Sequence, residues 1–441
     1  MNSKLFLVGF SLWIFTLCAH AQIKVDFPVE KFKLKNGLTV LLHADNSVPM
    51  VSYHTWYKVG SRDETLGVTG AAHMLEHMMF KGAKKYTNKD FDRILSQNGI
   101  VNNAFTTADY TGFYENLPSD KLDLIMDVEL DRMKNLAIAP EELKSELQVV
   151  GEERRYRVDN NPNGLLNETL TDLMFTAHPY KFPTIGYMTD IQAYSSEKLR
   201  KFYSTYYVPN NAVLIIAGDI NIEKTKKMVM KYYDELPFKD VPERKYAVEP
   251  DVTKPRKKSI KGPVQNTNFM MAFKSIEAGH ADGYALDVLS QVLAGGTSSR
   301  LHKKMVYEAR KATGVYAHNE SQIDPGVFEI YASLQPKVSA DQVLPMIRNA
   351  IRQLQTTKIK EKELKKVKTQ FMKEFVDGLQ TIDGKANSLA INEVLYGDYK
   401  RLFTDLERYN QVTPEDIQRV AKKYLDPKKE VTVVLNPAGK E

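Results

Sequence analysis

A chain of 441 residues, 43% hydrophobic and 26% charged, is long enough for two or three domains of ordinary size. Its formal net charge is only +6, which argues against a nucleic-acid partner, because phosphate binding needs clustered cations. The single cysteine, Cys18, lies in the N-terminal leader described next, so the mature chain is expected to have no disulfide, zinc ribbon or cysteine nucleophile.

Residues 1–21 carry one cation at Lys4, an apolar run over 5–17 and a small-x-small site at Ala19-His20-Ala21. That is the layout of a cleaved secretory signal, with a mature start at Gln22 and a periplasmic or secreted product. The apolar run falls short of the roughly 20 residues needed to span a bilayer, so no stable membrane anchor is expected. Leu17 before Cys18 is too large for a lipoprotein site.

Residues 38–42, entered from an Asn36-Gly37 turn, and residues 51–59 read as strands. A glycine-rich loop at Gly67 and Gly70 leads into a helix expected to end near Gly82. On it, His73-Met74-Leu75-Glu76-His77 puts two imidazoles on one face, four residues apart, with Glu76 beside them. Two neutral nitrogen ligands and a carboxylate base suit a zinc site that holds a water. A further helix is expected from Thr87 to Gly99, with Asp90 as a partial capping box. Residues 102–114, with Tyr110, Phe113 and Tyr114, read as an aromatic strand. Helices follow over 119–135 and 140–157. On the last, Glu146 and Glu153 share a face two turns apart; either Glu153 or its neighbour Glu152 could complete a metal site.

The chain repeats itself. Tyr206, Pro209 and the apolar run 212–216 fall on Tyr424, Pro427 and 430–434 at an offset of 218. At an offset of 214 the zinc helix falls on 287–291, where Asp287, Ser290 and Gln291 replace His73, Glu76 and His77. The expected fold is α+β: two homologous domains, each a mostly antiparallel sheet with helices packed on it. Boundaries are set at 22–240 for the metal-binding domain, 241–262 for a linker and 263–441 for the second domain. The basic run over 254–261 is assigned to the solvated linker.

Gly60-Ser61-Arg62-Asp63-Glu64, Ala72-His73-Met74-Leu75-Glu76-His77, Glu146 through Glu153, Tyr206-Tyr207-Val208-Pro209-Asn210-Asn211 and Gly295-Gly296-Thr297-Ser298-Ser299-Arg300 resemble the pitrilysin/insulinase family of zinc metallopeptidases, in particular its short bacterial branch, which is similar to mitochondrial processing peptidase subunits. The resemblance implies one zinc ion held by His73, His77 and Glu153, with Glu76 as catalytic base. It implies that Glu146 orients a ligand histidine, and that Asn103, Ala104 and Phe105 form an edge strand on which peptide is laid. The family's complete enzymes carry an Arg and a Tyr seven residues apart in the second half. Here Ala309 stands seven before Tyr316, and Arg310 is out of register. The resemblance therefore implies a zinc-dependent endopeptidase that works with a homologous partner subunit or as a homodimer. The alternative is a non-catalytic assembly subunit of the same fold.

Overall fold

A computed structural model describes residues 25–438; the expected signal segment lies outside the described residues. The apolar β-branched runs pair into two sheets. The first contains β1 (Glu30–Lys33), β2 (Thr39–Ala44), β3 (Met50–Tyr57), β4 (Val101–Thr106), β5 (Thr111–Pro118) and β6 (Ala212–Gly218), in the order β1-β2-β6-β3-β5-β4. The second contains β7 (Arg256–Gly262), β8 (Asn268–Lys274), β9 (Ala312–Asn319), β10 (Val327–Leu334) and β11 (Val431–Pro437), in the order β7-β11-β8-β10-β9. In each sheet the pair made by the last strand, β2 with β6 and β7 with β11, is parallel, and the other pairs are antiparallel. All seven residues of β6 are buried, as expected of a strand covered on both faces.

The helices of the first half are α1 (Ala71–Met78), α2 (Asn88–Gln97), α3 (Leu122–Asn135), α4 (Pro140–Arg154), α5 (Pro162–Met174), α6 (Met188–Ile191), α7 (Ser196–Tyr206) and α8 (Ile222–Tyr233). Those of the second are α9 (Gly283–Ala294), α10 (Leu344–Thr356), α11 (Glu361–Gly378), α12 (Ile382–Tyr396), α13 (Asp405–Gln411) and α14 (Pro414–Tyr424). The duplication is structural: α7, a 3₁₀ turn at Pro209–Asn211 and β6 recur as α14, a turn at Pro427–Lys429 and β11.

Several expectations are corrected. The basic run is not a solvated linker. Residues 256–262 form β7, whose register on β11 runs from Arg256↔Val431 to Gly262↔Pro437. It is an edge strand, and its exposed Lys257, Lys258 and Lys261 are the charges that keep such an edge from pairing with another chain. The irregular connection between the halves therefore ends at Pro255. Residues 102–114 are two strands of a hairpin, β4 and β5, turned at 107–110 where Thr107 Oγ1 accepts the N–H groups of Asp109 and Tyr110. The zinc helix stops at Met78, and a turn carries the chain to Gly82 (φ +93°). α4 ends at Arg154 and continues as a π-turn over Arg155–Asp159.

The halves also interlock. α12, from the second half, covers the first sheet: Leu389, Ala390 and Val394 pack with Leu41, Trp56, Val213 and Ile215. Reciprocally, α5 brings Leu166, Leu170 and Met174 to Met270, Ala272, Val431 and Val433 of the second sheet. Each sheet is thus apolar on both faces, and each half supplies a lid for the other. Full burial of a leucine such as Leu389 contributes about 2 kcal/mol, so this exchange binds the two halves firmly.

Candidate metal centre

α1 is placed by the loop before it. Gly70, at φ +85°, is its N-cap and has no side chain to satisfy the first turn; the buried Glu64 carboxylate does so instead, accepting Gly70 N–H at 2.6 Å and Ala72 N–H at 2.9 Å. A Cβ on Gly70 would lie 2.4 Å from the Ile185 carbonyl oxygen, so only glycine permits this approach. Asp190 fixes the same loop by accepting Gly67 N–H, Thr69 N–H and the Thr69 hydroxyl. Met74, Leu75 and Met78 anchor one face of α1 in the core. Its other face turns His73, Glu76 and His77 to a cavity of about 790 Å³.

α4 runs past α1 and brings Glu153 to both histidines. Glu153 Oε2 is 3.6 Å from His73 Nε2 and 3.2 Å from His77 Nε2. Glu152 points away: its side chain is exposed and pairs with Arg155. Two turns earlier, Glu146 Oε2 lies 3.1 Å from His77 Nδ1, while its Oε1 meets Lys81 Nζ at 2.6 Å. Glu76 stays outside the convergence and accepts the Thr106 hydroxyl of β4 at 2.5 Å.

The electrostatics divide the histidines. Burial, aided by the charge of His77, lowers His73 to about 4 and keeps it neutral. Burial opposes charge on His77 too, but its hydrogen bond to Glu146 and the Glu153 carboxylate 3.2 Å away override it and hold the ring at about 9. Burial lifts the Glu76 carboxyl above its ordinary value, as suits a proton-accepting group. Glu146 and Glu153 are both lowered despite burial, Glu146 by its hydrogen bond to His77 and Glu153 by the two histidine rings beside it.

One ligand atom each from His73, His77 and Glu153 lies within 4.8 Å of the others, the only such trio among the described residues. Glu153 Oε2 is buried and accepts no hydrogen bond, though it faces both Nε2 atoms. Two imidazoles and a carboxylate with an orphaned oxygen between them fit a zinc ion that keeps one position for water.

Asn103, Ala104 and Phe105 line the same cavity on β4, the outermost strand of the first sheet. Phe105 is held by the core as well, with its ring edge-on to Trp56 at 5.0 Å. Thr106, Lys81 and Arg157 escape sequence reasoning. Lys81 is four residues from His77, and Arg157 is four from Glu153, which it meets at 2.9 Å, so helical spacing could have found both. No pattern announces Glu320, Gln322 and Val327, which enter the wall from the second half. Neither Arg310, at φ +51°, nor Tyr316, 65% exposed and stacked on Tyr331, is among the described residues of that wall. No helix of the described residues is long and apolar enough to cross a membrane.

The chain is similar to known proteins along most of its length. Residues 39–187 match the family described as Insulinase (Peptidase family M16), and residues 193–371 match the Peptidase M16 inactive domain. The Helicobacter pylori zinc protease PqqE is 32% identical, over 97% of this chain and 97% of its own. The Bacillus subtilis uncharacterized zinc protease YmxG is 26% identical, over 93% of this chain and 99% of its own. A crystal structure of a protease from Helicobacter pylori shares the fold with a TM-score of 0.88 and 31% identity, covering 93% of this chain and all of that one. At 17% identity and a TM-score of 0.75, the Escherichia coli periplasmic protease PqqL shares the fold; 94% of this chain spans 48% of its length. The chain belongs to the insulinase family of peptidases, family M16.

Proposed function

We propose that the chain is a zinc-dependent endopeptidase, acting on peptides or unfolded polypeptides. The observation that carries this reading is the convergence of His73, His77 and Glu153 with Glu76 left free beside them. A zinc ion held by the three would supply Lewis acidity, polarising the scissile carbonyl and acidifying a water. Glu76 takes the proton from that water and delivers it to the leaving amine. Thr106 aims Glu76, and Glu146 fixes the ring of His77. The open edge of β4, with Asn103, Ala104 and Phe105, receives the substrate backbone as an added strand, which gives affinity largely independent of sequence.

The same reading makes the chain the zinc-bearing subunit of a two-subunit enzyme, or one half of a homodimer. It is supported by Ala309 standing where the family's complete enzymes have arginine, and by Arg310 and Tyr316 lying outside the cavity wall. The leader over 1–21 and the periplasmic setting of PqqL favour the periplasm.

Glu76→Gln should keep one zinc per chain and lose peptide hydrolysis, whereas His73→Ala should lose both. Turnover by a zinc-loaded Glu76→Gln protein would overturn the catalytic assignment. A zinc-loaded wild type that cleaves nothing, alone or with a homologous partner, would favour a non-catalytic assembly subunit. Full activity of a purified monomer would defeat the two-subunit reading.

A further inference from the structure

The loop between β9 and β10 carries second-half residues Glu320 and Gln322 into the wall of the metal-site cavity. A buried polar clasp fixes this loop. Arg62 Nη1 lies 3.2 Å from Asp109 Oδ1 and 3.0 Å from Asp324 Oδ2, and Asp109 Oδ2 accepts Ile323 N–H at 3.0 Å. The Tyr180 hydroxyl donates to Asp109 Oδ1 at 2.7 Å and accepts Asp324 N–H at 3.0 Å. Asp109 sits in the turn between β4 and β5, so the clasp ties the loop to the end of the strand that bears Asn103, Ala104 and Phe105. Glu320 is therefore held at a set distance from that strand, and cross-linked loops of this kind make precise contacts.

Glu320 differs from the other charged groups of the wall that lie outside the metal centre. Lys81 is matched by Glu146, Arg157 by Glu153 and Glu168 by Arg154. The Glu320 carboxylate has no cation at ion-pair distance among the described residues and receives only the Gln322 amide, at 3.4 Å. Its charged surroundings add to the imbalance. Glu329 and Asp109 face it, with His318 as the one opposing group, and His318 is itself engaged by Glu329 at 3.2 Å. The Glu320 side chain stays exposed, so an incoming cation can reach its carboxylate. A lone carboxylate does not hold a metal ion, which needs several oxygen ligands. It does hold an ammonium or guanidinium group on a chain bound in the cleft.

We infer that Glu320 is a specificity-determining residue, which takes a lysine or arginine side chain of the polypeptide lying in the cavity. The inference rests on the peptidase reading for its ligand class. A charge-assisted contact of this kind corresponds to about tenfold in affinity.

The test uses peptides that differ only by Lys, Gln or Glu at one position, scanned along the length, with binding to zinc-loaded Glu76→Gln protein read by fluorescence anisotropy. At one position the Lys peptide should bind about tenfold more tightly than the Gln peptide. In Glu76→Gln/Glu320→Gln that ratio should fall to near one, and in Glu76→Gln/Glu320→Lys the preference should pass to the Glu peptide. Absence of any Lys preference, or a preference that survives Glu320→Gln, overturns the inference. Hydrolysis of the same peptides by the wild type separates the two claims. Turnover without charge preference sinks only the role of Glu320, whereas charge preference in binding without turnover sinks only the peptidase reading.

Discussion

α1 and α9 stand in equivalent places on two sheets of like topology, yet their inward faces are opposites. α1 presents His73, Glu76 and His77, and leaves His73 Nδ1 and Glu153 Oε2 buried without hydrogen bonds. α9 presents Asp287, Ser290 and Gln291, and the Asp287 and Ser290 side chains are satisfied within the chain. Asn319 and Tyr409 donate to the Asp287 carboxylate at 2.9 and 2.7 Å, and the Ser290 hydroxyl donates to the Asp287 carbonyl at 2.8 Å. One copy completes its hydrogen bonds within the chain, and the other holds ligand atoms aimed at a common point. A helix in this place on such a sheet can therefore be built without the histidines.

The comparison breaks most visibly if α1 is given the chemistry of α9. His73→Asn/Glu76→Ser/His77→Gln, with Asn rather than Asp to avoid a second buried carboxylate beside Glu153, should fold and bind no zinc. Loss of Glu76 alone should lower kcat by roughly 10²–10⁴, read in a peptide hydrolysis assay. An unfolded triple variant by circular dichroism would show that the first half does depend on these side chains.

The interlocked helices give the next largest effect. Leu389→Ala removes a fully buried side chain of the second half from beneath the first sheet and should cost about 2–5 kcal/mol. Trp56 belongs to the same cluster and is the only tryptophan after residue 21, so its fluorescence in a urea titration reports the loss directly.

Asp287 sharpens the contrast through pH. Burial raises it from 3.8 to about 6, despite the donated bonds of Tyr409 and Asn319, so the folded state favours its neutral form. Its contribution to stability is complete below about pH 4 and is lost as pH rises through about 6. Asp287→Asn should remove that loss, narrowing the difference in Tm between pH 5 and pH 8 by an amount equivalent to roughly 1.4 kcal/mol. The smallest effect falls on Glu146, which bears on the metal site only through His77. Glu146→Gln should weaken zinc binding about 10- to 100-fold in a chelator competition, with the fold unchanged.

Much of this was legible in the sequence for physical reasons that are specific to each element. His73 and His77 were readable because one helix turn carries both, and the duplicated Pro209 and Pro427 turns were readable because proline fixes its own φ. Glu153 was not separable from Glu152 by pattern alone, since a rotation of about 100° decides between the histidines and solvent. The lysines of β7 hid a strand, because an edge strand needs charge that elsewhere marks a loop. The apolar stripe of α5 shows that the helix is covered but not by which sheet. Glu320 lies in a loop whose placement depends on contacts spanning 144 residues or more in sequence, from Arg62, Asp109 and Tyr180, and no local pattern encodes it.

The most direct test of the metal assignment is an anomalous difference map from crystals of zinc-loaded Glu76→Gln protein. The account predicts one peak about 2.0–2.2 Å from His73 Nε2, His77 Nε2 and a Glu153 carboxylate oxygen, with residue 76 uncoordinated. A peak that omits Glu153, or that lies on Glu152 or elsewhere in the chain, would contradict it.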